Sequence, residues 1–146
     1  MKGDAMLRSR LAPDPSSNGW PKMDANHPFI EFRIPPDPAY VRIARLAAGD
    51  MGGRVGFSLD ELDDVRLAVD EVCAILIGAR GIALELRMQA RDRTLMIEGR
   101  MPGAMTPIAP SELSEMLLGA LVDSCTFSTH DDAVSFEMCK LAREIA

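Results

Sequence analysis

Apolar side chains recur at two different periods along this chain, and the changes of period divide it into eight elements. Residues 29–34, FIEFRI, alternate apolar and charged positions as a half-buried strand does, and Pro35-Pro36 ends it. A helix is predicted over 38–51, with Asp37 as its cap, Pro38 in the first turn, Val41, Ala44, Ala47 and Ala48 on one face, and Gly52-Gly53 as the stop. The clearest segment is 58–77. Ser58 and Glu61 have the spacing of a capping box, and Leu62, Val65, Val69, Val72, Cys73 and Leu76 then repeat at helical intervals, giving one stripe that needs a core. Residues 82–90 and 94–99 read as two strands about a turn at 91–93, and 101–110 as a loop, since Pro102, Pro107, Pro110 and Gly103 suppress a helix there. A third helix is predicted over 111–122, with Leu113, Met116, Leu117, Ala120 and Leu121 as its packing face. Strands at 124–128 and 133–139 close the chain about His130-Asp131-Asp132.

The order strand, helix, helix, strand, strand, helix, strand, strand predicts an α/β fold: a two-layer sandwich of a mostly antiparallel sheet with helices on one face. Residues 1–27 are rich in Pro, Ser, Asn, Asp and Gly without periodicity and read as a flexible N-terminal extension that carries Trp20, the only tryptophan. Residues 28–146 are then a single domain, and at 47 % hydrophobic residues the chain has the material for a core. The formal charge of -6, from 22 acidic and 16 basic side chains, disfavours non-specific nucleic-acid binding and suits a basic protein partner. Aromatics, 5 %, are too few for a base-stacking platform. No run of 18 apolar residues and no apolar leader is present, so a cytoplasmic location without membrane contact is expected.

Candidate chemistry is sparse. Cys73, Cys125 and Cys139 lie far apart in apolar runs and read as reduced, partly buried thiols, while His27 and His130 have no partner at ligand spacing, so no metal site is expected. No glycine-rich phosphate loop with Lys and Ser or Thr occurs. Asp70 and Glu71 stand beside the apolar stripe as candidates for an acid or base. Arg42 and Arg45, three apart on the first helix, are candidates for pairing with acidic groups of a partner.

The phrase DDVRLAVDEVCAIL, residues 63–76, resembles the corresponding helix of small bacterial anti-sigma factors of the serine-kinase type (RsbW-like), members of the histidine-kinase-like ATPase fold family. LLGALVDSCTF, 117–127, resembles the family's closing helix and strand, and the likeness runs from 29 to 140. In that family a Glu-x-x-x-Asn signature supplies the kinase base and the magnesium ligand. Glu71 keeps the glutamate place, but Ile75 takes the asparagine place and offers a hard cation no oxygen. The family's Asp-x-Gly-x-Gly corresponds to Gly99-Arg100-Met101-Pro102-Gly103, so only Gly103 survives as a nucleotide-binding residue and the adenine-reading aspartate is lost. Its Gly-x-Gly turn falls near Leu113, Ser114 and Glu115, where a carboxylate would repel phosphates, and its final Gly-Thr is Asp132-Ala133.

The resemblance therefore implies an anti-sigma factor or related regulator of transcription in the stress response. It would sequester a sigma factor by protein contact, be released by an anti-anti-sigma protein, and need no cofactor. The family's first helix and strand contribute dimer and sigma contacts, and Arg42 falls near a family arginine there, so a homodimer is also expected. Two alternatives stay open: an active Mg-ATP-dependent serine kinase with Glu71 as catalytic base, and a non-enzymatic adaptor.

Overall fold

The computed structural model describes residues 23–143, and the predicted order of elements is present in them. Strand β1 (Ile30–Ile34) leads through a short 3-10 turn (Pro38–Tyr40) into helix α1 (Val41–Val55) and then helix α2 (Leu59–Ile77). Strands β2 (Leu84–Arg91) and β3 (Thr94–Pro102) form a hairpin, helix α3 (Glu112–Leu121) follows, and β4 (Ser124–His130) and β5 (Ala133–Leu141) complete the sheet. The sheet has the order β1-β2-β3-β5-β4 and every pairing is antiparallel, so β1 and β4 are its edges. The two-residue turn between β2 and β3 uses Asp92 and Arg93 at φ of 53° and 58°, the left-handed pair that matches the twist of a tight hairpin.

All three helices cover one face. Leu84, Leu86 and Met88 from β2, Leu95, Ile97 and Met101 from β3, and Val134, Phe136 and Met138 from β5 are buried there against Val65, Val69, Val72 and Leu76 of α2. The other face carries charge in cross-strand rows. Arg100 pairs with Glu85 at 3.3 Å, and Arg87 lies 3.4 Å from Glu98 and 3.9 Å from Glu31. Alternation along each strand thus separates a core face from a polar one.

Local chemistry explains the helix ends. Asp37 accepts the Ala39 N–H at the start of the 3-10 turn, as a cap should. At α2 the capping box is complete: the Ser58 hydroxyl accepts from Glu61 N at 3.2 Å and the Glu61 carboxylate accepts from Ser58 N at 2.9 Å. The second Glu61 oxygen accepts the Arg143 N–H at 2.9 Å, so this buried acid is satisfied by both the helix start and the chain end.

Three expectations change. Helix α1 does not stop at Gly52-Gly53 but runs to Val55, and the stop is Gly56 at φ 89°, with Phe57 N returning to Gly52 O at 3.1 Å and Gly56 N to Gly53 O at 3.3 Å. That is a Schellman cap, and Gly52 is small for packing: a Cβ there would lie 2.7 Å from Phe57 and 2.8 Å from Leu62. On α3 the buried residues are Leu118 and Leu121, whereas Leu113 and Met116, expected in the packing face, are 73 % and 71 % exposed, and Leu117 and Ala120 also face out. The positions of the helix that are not exposed fall along the line Ser114, Leu118, Leu121. Finally, the chain is fastened to the sheet before residue 28: Gln89 receives the Asp24 N–H and donates to the carbonyls of Asp24 and His27, which pins the end of the predicted extension across the polar face. Trp20 lies outside the described residues.

Candidate functional site

Glu71 sits in the middle of α2, half-buried, and is reached from α3. The Ser114 hydroxyl donates to Glu71 Oε2 at 2.5 Å, Ser111 Oγ lies 3.1 Å from Ser114 Oγ, and Ser111 also accepts the Ser114 N–H as the cap of α3. Serine is favoured at a helix start because its oxygen takes an otherwise unpaired N–H. Here two serines in one turn carry that role onward to the carboxylate of the neighbouring helix. Ser114 was visible in the sequence only as a lost glycine landmark. Its contact with Glu71 spans 43 positions, and no local pattern announces it.

The other expected positions of a nucleotide site gather around α2 and the end of β3. Ile75, one turn beyond Glu71, packs against the core cluster, and an alkyl side chain cannot ligate magnesium. Gly99 lies under the ring of Phe136, its partner in the β3–β5 register. A Cβ at Gly99 would meet that ring at 2.1 Å, so the buried Phe136 fills the space in which any longer side chain would stand. Gly103 has φ 69° and closes on Ile82, whose side chain comes within 2.6 Å of a Cβ placed there. It serves the turn out of β3.

The loop after Gly103 is held by the protein's own backbone: Ala104 N donates to Asp132 O at 2.9 Å, Met105 N to Ala79 O at 2.8 Å, and Thr106 N to Ala79 O at 3.2 Å. Its start is thus tied to the end of α2 and to the β4–β5 turn. Among the described residues no cluster of three His, Cys, Asp or Glu side chains has the arrangement of a metal site. The positions that the resemblance assigns to the cation, the adenine and the phosphates are held by Ile75, by Gly99, and by Leu113, Ser114 and Glu115.

The two arginines on α1 have different surroundings. Arg45 Nη1 donates to Asp70 Oδ1 at 2.7 Å, joining α1 to α2, so both Arg45 and Asp70 have a role inside the fold. Arg42 is exposed and makes no hydrogen bond or ion pair among the described residues. Around it Tyr40, Ile43 and Leu46 leave an apolar outer face on the helix. A buried cation missed by the sequence reading is Lys140, whose ammonium donates to Leu121 O at 2.7 Å and lies 3.9 Å from Asp64. It closes the C-terminus of α3, where a positive charge is favoured.

All three cysteines are free. Burial pushes the Cys73 thiol up to about 12, with Asp70 adding to the rise and Arg45 opposing it. It pushes Cys125 up to about 12 and, together with Asp123, Cys139 up to about 11. None is an activated nucleophile.

No protein-family model matches the chain. It is 39 % identical over 51 residues to the serine-protein kinase RsbW of Bacillus subtilis, covering 35 % of this chain and 32 % of that protein. The serine-protein kinase RsbW of Oceanobacillus iheyensis is 38 % identical over 47 residues, covering 32 % and 30 %. The chain therefore spans under a third of the length of these relatives. In fold it is similar to the RsbU and RsbW domains of a Mycobacterium tuberculosis protein, with a TM-score of 0.63 at 12 % identity, over 81 % of this chain and 34 % of that one. No helix among the described residues is long and apolar enough to cross a membrane. The chain thus shares a fold with those RsbU and RsbW domains over 81 % of its length and is similar in sequence to the serine-protein kinases RsbW over 35 % of it.

Proposed function

We propose that this protein is a cytoplasmic anti-sigma-type regulator that sequesters a sigma factor by direct contact, is released by an anti-anti-sigma protein, and does so without ordinary ATP-dependent phosphorylation. The observation that carries the reading is the bond from Ser114 to Glu71. A base for serine phosphorylation needs its carboxylate free to meet a substrate hydroxyl, next to a metal that neutralises the γ-phosphate. Here the carboxylate is occupied from within the chain, Ile75 stands one turn away, and Phe136 closes over Gly99. The family match supplies the regulatory direction, and the exposed Arg42 within an apolar α1 face supplies a surface for a sigma factor or a second copy.

An active serine kinase is the second reading, and one observation favours it: Glu71 keeps the place of the family's catalytic glutamate on α2. Affinity capture of the tagged full chain from its native cytosol, with and without Mg-ATP, separates the readings. A sigma factor recovered equally in both conditions is the expected result. Phosphoserine on a co-purifying protein only with Mg-ATP would replace this reading with the kinase, and specific partners without any sigma factor would replace it with an adaptor.

A further inference from the structure

We propose that the outer edge of β4, together with the groove between β4 and α3, is a docking site for an extended peptide segment of a partner, which adds to the sheet as a sixth strand. Among the described residues β4 pairs only with β5, so alternate N–H and C=O groups along its seven residues point outward without a strand to receive them. Proteins usually blunt such an edge with charge, proline or a bulge. The opposite edge, β1, follows that rule: five residues, with Glu31 and Arg33 inside it and Pro28 and Pro35 around it. Between Ser124 and Thr129, by contrast, there is no charged side chain and no proline. An unguarded edge is the template that β-addition uses, and its hydrogen-bonding groups are complementary to an extended backbone.

Gly119 provides an independent observation. A glycine inside a helix costs about 1 kcal/mol relative to alanine, and most others in this chain have a local reason. A Cβ at Gly81, Gly99 or Gly103 would meet neighbouring atoms at 2.3, 2.1 or 2.6 Å, whereas at Gly119, as at the exposed Gly53 of α1, nothing lies within 4 Å, and Gly119 faces the groove beside β4. Its bare backbone lines the groove of about 760 Å³ beside β4, together with Ile108, Leu118, Val122 and Phe127. The smallest residue therefore stands where an occupant would pass closest to α3.

Charge narrows the occupant. The charged groups lining the groove are Glu115 and Asp123. Asp123 is engaged by the Leu141 N–H and by Arg143, while Glu115 has no partner among the described residues. The segment that fits has apolar side chains at alternate positions and a lysine or arginine to meet Glu115. A second copy of β4 does not supply it, since SCTFST has no basic side chain. The groove lies on the β4 side of α3, although Glu115 directly follows Ser114, and the proposal holds whether or not the regulator reading does.

The test is selection of a phage-displayed library of random linear dodecapeptides on the full chain, followed by amide hydrogen exchange of the complex. Peptides with alternating apolar residues and a basic residue are expected. They should slow exchange at alternate amides of β4 and lose more than about tenfold in affinity for Gly119→Tyr, whose added ring enters open space in the groove. Glu115→Arg, a change on the exposed rim, should turn the preference from basic to acidic peptides and keeps the test decisive if Gly119→Tyr fails to fold. No enrichment, protection confined to other elements, indifference to both variants, or protection of β4 through self-association without peptide would each overturn the proposal.

Discussion

Removing the Ser114 hydroxyl leaves the Glu71 carboxylate half-buried without its donor and loosens the first turn of α3 from α2. Hydrogen bonds to charged groups are worth about 1.5–3 kcal/mol, and partial exposure reduces that, so Ser114→Ala should cost about 1 kcal/mol. A lower urea midpoint with an unchanged slope is the expected readout, and an unchanged midpoint would mean the bond is not made in solution. Ile75→Asn restores the family's magnesium residue but leaves Gly99 beneath Phe136. A calorimetric titration of that variant with Mg-ATP should therefore stay flat, and saturable heat would show that Ile75 alone closes the site. The cysteines give a pH signature. Their folded values, raised from 9.0 to about 12, 12 and 11, mean that the unfolded chain loses thiol protons first as pH rises. Stability from these groups is full below about pH 9 and falls progressively towards pH 12, because the folded state binds more protons in that window. Denaturant titrations at increasing pH, compared with a chain carrying Cys73→Ala, should show the variant losing less over that range. At this scale the burial of the thiols was legible from the apolar runs around them. Ser114, Phe136 and Lys140 stayed hidden because each acts through a partner on another element.

Among the elements, α1 and α3 differ most from their sequence patterns, for related reasons. A double glycine usually ends a helix, and Gly52-Gly53 has the composition of a stop. What continues α1 is tertiary: Phe57 and Leu62 pack onto the bare backbone at Gly52, and Gly56 three residues later takes the left-handed conformation instead. The two glycines should accordingly respond with opposite sign. Gly53 has open space around it, so Gly53→Ala should raise stability by about 0.5–1 kcal/mol through helix propensity. Gly52→Ala drives a methyl into Phe57 and Leu62 and should cost about 1–3 kcal/mol. Thermal midpoints of the two variants moving in the same direction would contradict this packing. On α3, apolar residues occur on nearly every side of ten positions, so periodicity alone cannot choose which ones are buried. The choice is made by Ser114 reaching Glu71 and Lys140 holding Leu121 O, which orient Leu118 and Leu121 inward and leave Leu113 and Met116 exposed. Strands were more legible than helices because alternation and turn residues are local, and the hairpin at Asp92-Arg93 needed no long-range information.

For the whole molecule, the decisive contrast is between two arginines one turn apart. Arg45 is part of the architecture: its pair with Asp70 joins α1 to α2, and both side chains are only partly exposed. Arg42 projects from the same helix with no hydrogen bond or ion pair among the described residues, next to Tyr40, Ile43 and Leu46. An exposed charge without a partner adds little to folding, and its reversal usually changes stability by no more than about 0.5 kcal/mol. The same charge at the centre of an apolar contact, paired across an interface, can dominate binding. Arg42→Glu should therefore unfold at the wild-type denaturant midpoint yet bind the captured sigma factor more than about tenfold more weakly, since a buried like-charge contact replaces an ion pair. Arg45→Glu should lower both stability and binding, because it sets a carboxylate against Asp70 within the fold. An Arg42→Glu titration that overlays the wild type would remove the α1 face from the partner surface. A loss of binding that tracks a loss of stability in both variants would assign both arginines to the fold alone.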